Sequence, residues 1–166
     1  MSDFGEAWAL DPREPESLYD RACASYDLHA WEDCVKDFAQ AYEKIPSLRG
    51  FVQIRFCLAR SRMGQRAAAE RDLTQFLERR SDADPWMEEL LRFVAGLSNE
   101  ELLFAEAGRD PRERLCQANY YAGTLRLLEG DEDQARMYFT SCLETGAKQY
   151  REFASAAAEL RALEKK

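Results

Sequence analysis

Apolar residues recur at three- and four-residue spacing along most of this chain, the period of helices that bury one face. The pattern is clearest over Asn119–Gly146, NYYAGTLRLLEGDEDQARMYFTSCLETG. Before Gly130 the apolar positions are Tyr120, Tyr121, Leu125, Leu127 and Leu128. After it they are Ala135, Tyr138, Phe139, Cys142 and Leu143. Gly130 suits the left-handed conformation that ends a helix, and Asp131 with Gln134 supplies a capping-box pattern for the next. Gly123 stands where a side chain would push two helices apart, so it is placed there despite costing about 1 kcal/mol of helix propensity. The stretch predicts two helices packed as a hairpin, closed by Gly146.

The same grammar extends upstream. One hairpin is expected from Pro15 to Leu28 and from Trp31 to Lys44, with the turn at His29-Ala30 and a stop at Pro46. Cys34, Phe38 and Ala41 form the inner face of its second helix. A second hairpin spans Arg49–Met63 and Arg66–Arg80, turning at Gly64, with the bulky Phe76 where its neighbours have Ala41 and Cys142. The third is shortened: Asp84-Pro85 opens a helix to Ala95, Gly96 ends it, and Ser98-Asn99-Glu100-Glu101 reads as a capping box before a short helix ending at Gly108. Asp110-Pro111 then opens the long helix of the first-described hairpin. A final amphipathic helix is expected over Lys148–Lys166, with Tyr150, Phe153, Ala157, Leu160 and Leu163 on one face and charges on the other.

The hairpins keep a period. Residues 3–12, DFGEAWALDP, align with residues 37–46, DFAQAYEKIP, at a constant offset of 34. Asp3, Phe4, Ala7 and Pro12 match Asp37, Phe38, Ala41 and Pro46. Gly96 lies 32 after Gly64 and 34 before Gly130. A period near 34 in helix–turn–helix units is the signature of tetratricopeptide repeats. The fold class is therefore expected to be all-α, a right-handed superhelix of antiparallel hairpins. It divides into a partial repeat at 1–13, repeats at about 14–47, 48–82, 83–109 (atypical) and 110–146, and a capping helix over 147–166. The partial repeat is read either as a cap or as the trace of a longer protein.

A closer likeness covers roughly the C-terminal two-thirds. PWMEELLRFVAGLSNEELLFAEAG, then QANYYAGTLRLLEGDEDQARMYFTSCLETGAKQYREFASAAAEL, is similar to the NlpI-type bacterial lipoproteins. The matching positions are Gly96–Leu102 and Asn119, Tyr120, Tyr121, Gly123, Gly130 and Asp131. The resemblance implies an all-helical, often dimeric adaptor that docks proteases or cell-wall hydrolases. Those proteins carry a secretion signal and a lipidated cysteine, which this sequence does not show, so the resemblance carries the fold and the adaptor idea without the membrane anchor.

Composition narrows the function classes. The 166 residues carry a formal net charge of −8, whereas nucleic-acid binders usually present a basic stripe. Cys23, Cys34, Cys57, Cys116 and Cys142 form no CxxC pair; an odd count on apolar helix faces suggests small hydrophobes in a reducing compartment. No signal sequence or bilayer-length apolar run is seen. A cytoplasmic location is expected, or a periplasmic one if an N-terminal signal has been removed.

No catalytic constellation emerges. His29, the one histidine, reads as an exposed turn residue. No metal-ligand spacing, phosphate loop or cofactor motif is present, and Glu88-Glu89 and Glu100-Glu101 are explained by their helix starts. The expectation is a non-enzymatic adaptor that binds a protein segment in the concave groove lined by first helices. The groove residues are Tyr19, Cys23, Tyr26, Phe51, Ile54, Arg62, Tyr120 and Thr124. Leu58 and Leu127 read as core, while Tyr19, Tyr26 and Tyr120 suit either place. Because these positions lack lysine and asparagine, no clamp for acidic chaperone tails is expected. The alternative is a self-assembling module, a homodimer through its terminal helices.

Overall fold

The computed structural model describes residues 15–80, 84–108 and 111–165. The expected partial repeat at 1–13 lies outside them. The described residues form nine α-helices and no strand: α1 Pro15–Asp27, α2 Trp31–Lys44, α3 Arg49–Arg62, α4 Arg66–Arg79, α5 Pro85–Val94, α6 Glu100–Ala107, α7 Pro111–Leu128, α8 Glu132–Glu144 and α9 Arg151–Leu163. A single turn of 3₁₀ helix, Pro46–Leu48, joins α2 to α3.

The breaks fall where the sequence places them. Gly64, Gly96, Gly130 and Gly146 all have φ between 66° and 83°, the left-handed region that glycine enters without steric cost. Asp131 Oδ1 accepts from the backbone N–H of Gln134 at 3.1 Å and so caps α8. At α6 the cap is one residue later than expected. Asn99, not Ser98, accepts from Leu102 N, and the Ser98 hydroxyl donates to Glu89 instead. An Asn side chain is a better helix start than its neighbour when Ser98 already has a carboxylate to bond.

Each helix packs on the next along the whole chain. Alternate helices also meet: α3 with α5, α5 with α7, and α7 with α9. The linear order is also broken where α3 meets α7 and α1 meets α9. The described array therefore closes on itself, with its last described helix against its first.

Helix α9 departs most from its expected orientation. The residues it buries are Glu152, Ser155, Ala156, Glu159 and Leu163, whereas Tyr150, Phe153, Ala157 and Leu160 are only half-buried. Two carboxylates thus face inward from a helix whose charges were expected outside. The physical reason is that each finds an arginine on α3.

Candidate functional site

The first helices of the hairpins meet α9 around a buried polar centre. Arg55, on α3, is completely buried. Its Nη1 donates to Ser155 Oγ at 3.1 Å, and its Nη2 lies 3.6 Å from Glu152 Oε1. Its guanidinium also sits over the rings of Tyr26 and Tyr120, 5.6 and 5.2 Å from their centroids. Tyr121 Oη donates to Glu152 Oε1 at 2.9 Å. Two helical turns along α3, Arg62 Nη2 donates to Glu159 Oε1 at 2.8 Å and stacks over Trp31. Arg151 pairs with Asp20, midway along α1. Arg55 and Arg62 are seven residues apart, as are Glu152 and Glu159, so the two ion pairs repeat at one spacing on both helices.

Burial explains the titration of this centre. It pushes the Tyr26 phenol up to about 12, and it holds Tyr19, Tyr120 and Tyr121 well above the ordinary phenol value. Asp27 is raised for the same reason, partly opposed by Arg55. Charges so placed cost more to bury alone than they return, and they are retained only when paired.

Most of the residues expected to line an open groove belong to this interior. Tyr19, Cys23, Tyr26, Ile54, Tyr120 and Thr124 are all buried. Thr124 Oγ1 donates to the carbonyl of Tyr120 in its own helix, and Arg62 is held by Glu159. These six side chains do not form an exposed wall: α9 returns against α1 and α7, and its Ser155 and Glu159 reach Arg55 and Arg62 on α3. His29 is also not a free turn residue: at φ 59° it makes the turn, stacks on Trp31 and places Nε2 3.4 Å from Glu159 Oε2. The sequence signal that could have revealed the cover was the seven-residue match of arginines to glutamates.

Phe51 lies elsewhere. It lines a cleft of about 730 Å³ between α2, α3, α4 and the start of α5. Tyr42, Phe56, Phe76 and Met87 supply apolar surface, and Arg49, Arg79 and Arg80 supply guanidinium groups. Phe76, the bulky residue at the place of Ala41 and Cys142, makes an edge contact with Tyr42 here, 6.2 Å between ring centroids. Arg49 stacks over the Tyr42 ring and donates from Nε to the Tyr42 carbonyl. The two carboxylates in the lining are already engaged: Asp72 accepts from Arg60 Nη1 at 2.6 Å, and Asp84 caps α5 through Trp86 N. Gly50 permits the close floor of the cleft, since a Cβ there would lie 2.6 Å from Met87 Sδ.

Among the described residues no cluster of three or more His, Cys, Asp or Glu is arranged to hold a metal ion. No described helix is long and apolar enough to cross a membrane. The chain matches no protein-family model and no curated protein.

Proposed function

We propose that this protein is a non-catalytic adaptor of the tetratricopeptide type, a right-handed superhelix of hairpins with α9 as its cap, and that it holds an extended segment of another protein. Its working surface is the cleft between α2, α3, α4 and α5. The observation that carries this reading is the composition of that cleft, half-buried aromatic rings beside arginines in a chain of net charge −8. Aromatic and arginine side chains dominate the energetics of protein recognition. Arg49 and Arg79 in the lining favour a ligand that brings carboxylates beside an apolar anchor. The likeness to NlpI-type lipoproteins adds that the held protein is a protease or hydrolase recruited to a substrate.

A photo-crosslinking residue at Gln53 or Gln75, in the cleft lining, tests this. Crosslinks should map to an acidic segment of one partner. That segment, titrated by calorimetry, should bind tenfold or more weakly to Phe51→Ala combined with Phe76→Ala. Arg79→Glu should weaken it in a salt-dependent way. Binding unchanged by these substitutions overturns the assignment, and crosslinks only between copies of the chain replace it with the self-assembly reading.

A further inference from the structure

Cys116 on α7 and Cys142 on α8 lie with their sulphur atoms 3.3 Å apart, and both are fully buried. All five cysteines are free thiols. The other three are pushed up by burial, Cys23 to about 11 and Cys34 and Cys57 to about 12. The α7–α8 pair differs because one thiol serves the other. The Cys142 thiol has one proton and two acceptors in reach, the Cys116 sulphur and the Glu152 carbonyl oxygen, 3.7 Å away at the start of α9. Hydrogen bonding from Cys142 holds Cys116 below its ordinary thiol value, while the same bond raises Cys142. Two thiols in direct contact and sharing a hydrogen bond are placed so that one can react and the other resolve it. A disulfide is about 2.0 Å long, so the sulphurs must approach by roughly an ångström.

We propose that Cys116 and Cys142 are a modification site, a dithiol that a small hydroperoxide converts to an intrachain disulfide tying α7 to α8. The Cys116 thiolate attacks the distal peroxide oxygen and the O–O bond breaks. The released hydroxide or alkoxide takes up the proton that Cys116 gave, and Cys116 becomes a sulfenic acid. Cys142 then attacks the Cys116 sulphur and loses its proton. The S–S bond forms, the S–O bond breaks, and hydroxide leaves with that proton as water. Two thiols are oxidised by two electrons and one peroxide is reduced. Glu152 belongs to α9, so that helix packs directly over the pair.

The test treats the reduced full chain with hydrogen peroxide in native buffer and maps the products by mass spectrometry without reduction. The expected result is loss of two hydrogens from the intact mass, with the Cys116 and Cys142 peptides cross-linked. Cys142→Ser should stop at a sulfenic acid on Cys116 that dimedone traps. Cys116→Ser should leave Cys142 unmodified at the same dose. The oxidised chain should melt about 5–10 °C higher than the reduced one. Alanine variants replace the serine ones if either fails to fold by circular dichroism, and the wild-type peptide map needs neither. Cross-links to other cysteines, or cross-linking seen only after urea is added, overturn the proposal.

Discussion

Two glycines sit in close helix contacts and should differ in what they tolerate. A Cβ at Gly123 would lie 2.8 Å from Phe139 Cε1 and 3.1 Å from Tyr138 Cβ. The Phe139 ring is fully buried and has nowhere to turn. Overpacking of about 1–3 kcal/mol should exceed the gain of about 1 kcal/mol in helix propensity. Gly123→Ala should therefore lower the urea midpoint. A Cβ at Gly50 meets the flexible thioether of Met87, which can rotate into the adjoining cleft, so Gly50→Ala should be close to neutral in the same titration. Asp27 offers a second test at this scale. Burial raises its folded value above the unfolded one, so the protonated form is favoured in the folded chain. Its favourable contribution is complete below the unfolded value and is lost as pH rises through the folded one. Asp27→Asn should consequently raise the melting temperature at pH 7, and the difference from wild type should shrink as pH falls toward the ordinary aspartate range. The groups facing Asp27 are Arg55, Ser155, Glu159 and Arg151, and an unchanged melting curve at pH 7 would remove the desolvation argument.

At the scale of the element, α9 docks through buried, paired carboxylates as well as through apolar surface. Removing one partner of a buried ion pair leaves the other uncompensated, which costs about 3–5 kcal/mol. Arg55→Met and Glu152→Leu should each destabilise the fold by that order. The double variant should lose less than the sum by more than 1 kcal/mol, because both charges then leave together. Chemical denaturation of the four proteins measures the cycle, and additivity would show that the pair does not couple. The seven-residue match also fixes how α9 slides along α3. A shift of one turn would bring Glu152 and Glu159 opposite positions without an arginine. Helix starts are more local affairs. Asp131→Ala should cost α8 about 1 kcal/mol, the usual worth of a side-chain cap, with no effect on α9.

The whole molecule differs from a linear stack in one respect that experiment can reach. Repeat arrays are stabilised by nearest-neighbour contacts, so a terminal unit can be removed with local loss. Here α9 meets α1 as well as α7 and α8, and its glutamates neutralise arginines on α3. Deleting residues 147–166 should strip the cover from Tyr26, Arg55 and Tyr120 together. The truncated chain should lose helicity well beyond the share of α9 or aggregate. Far-UV circular dichroism would decide this, and a shortened but cooperatively folded chain would restore the linear picture. The closure also leaves Tyr19, Tyr26 and Tyr120 buried.

Helix positions, the turns at Gly64, Gly96, Gly130 and Gly146, the Asp131 cap and the close approach at Gly123 were all written in the sequence. They depend on the 3.6-residue period and on backbone preferences that act within a few residues. The inward face of α9 was not legible in the same way. By local pattern Phe153 and Leu160 belong inside and Glu152 and Glu159 outside. A carboxylate can be buried only where a cation waits for it, and Arg62 waits 97 residues away from Glu159. Tyr19, Tyr26 and Tyr120 suited groove and core equally for the same reason, since what covers a face is set by where a distant helix returns. The sequence by itself therefore determined the elements and their ends, through short-range physics. Only the tertiary structure decided which faces close on one another, because burial is a property of the partner as much as of the residue.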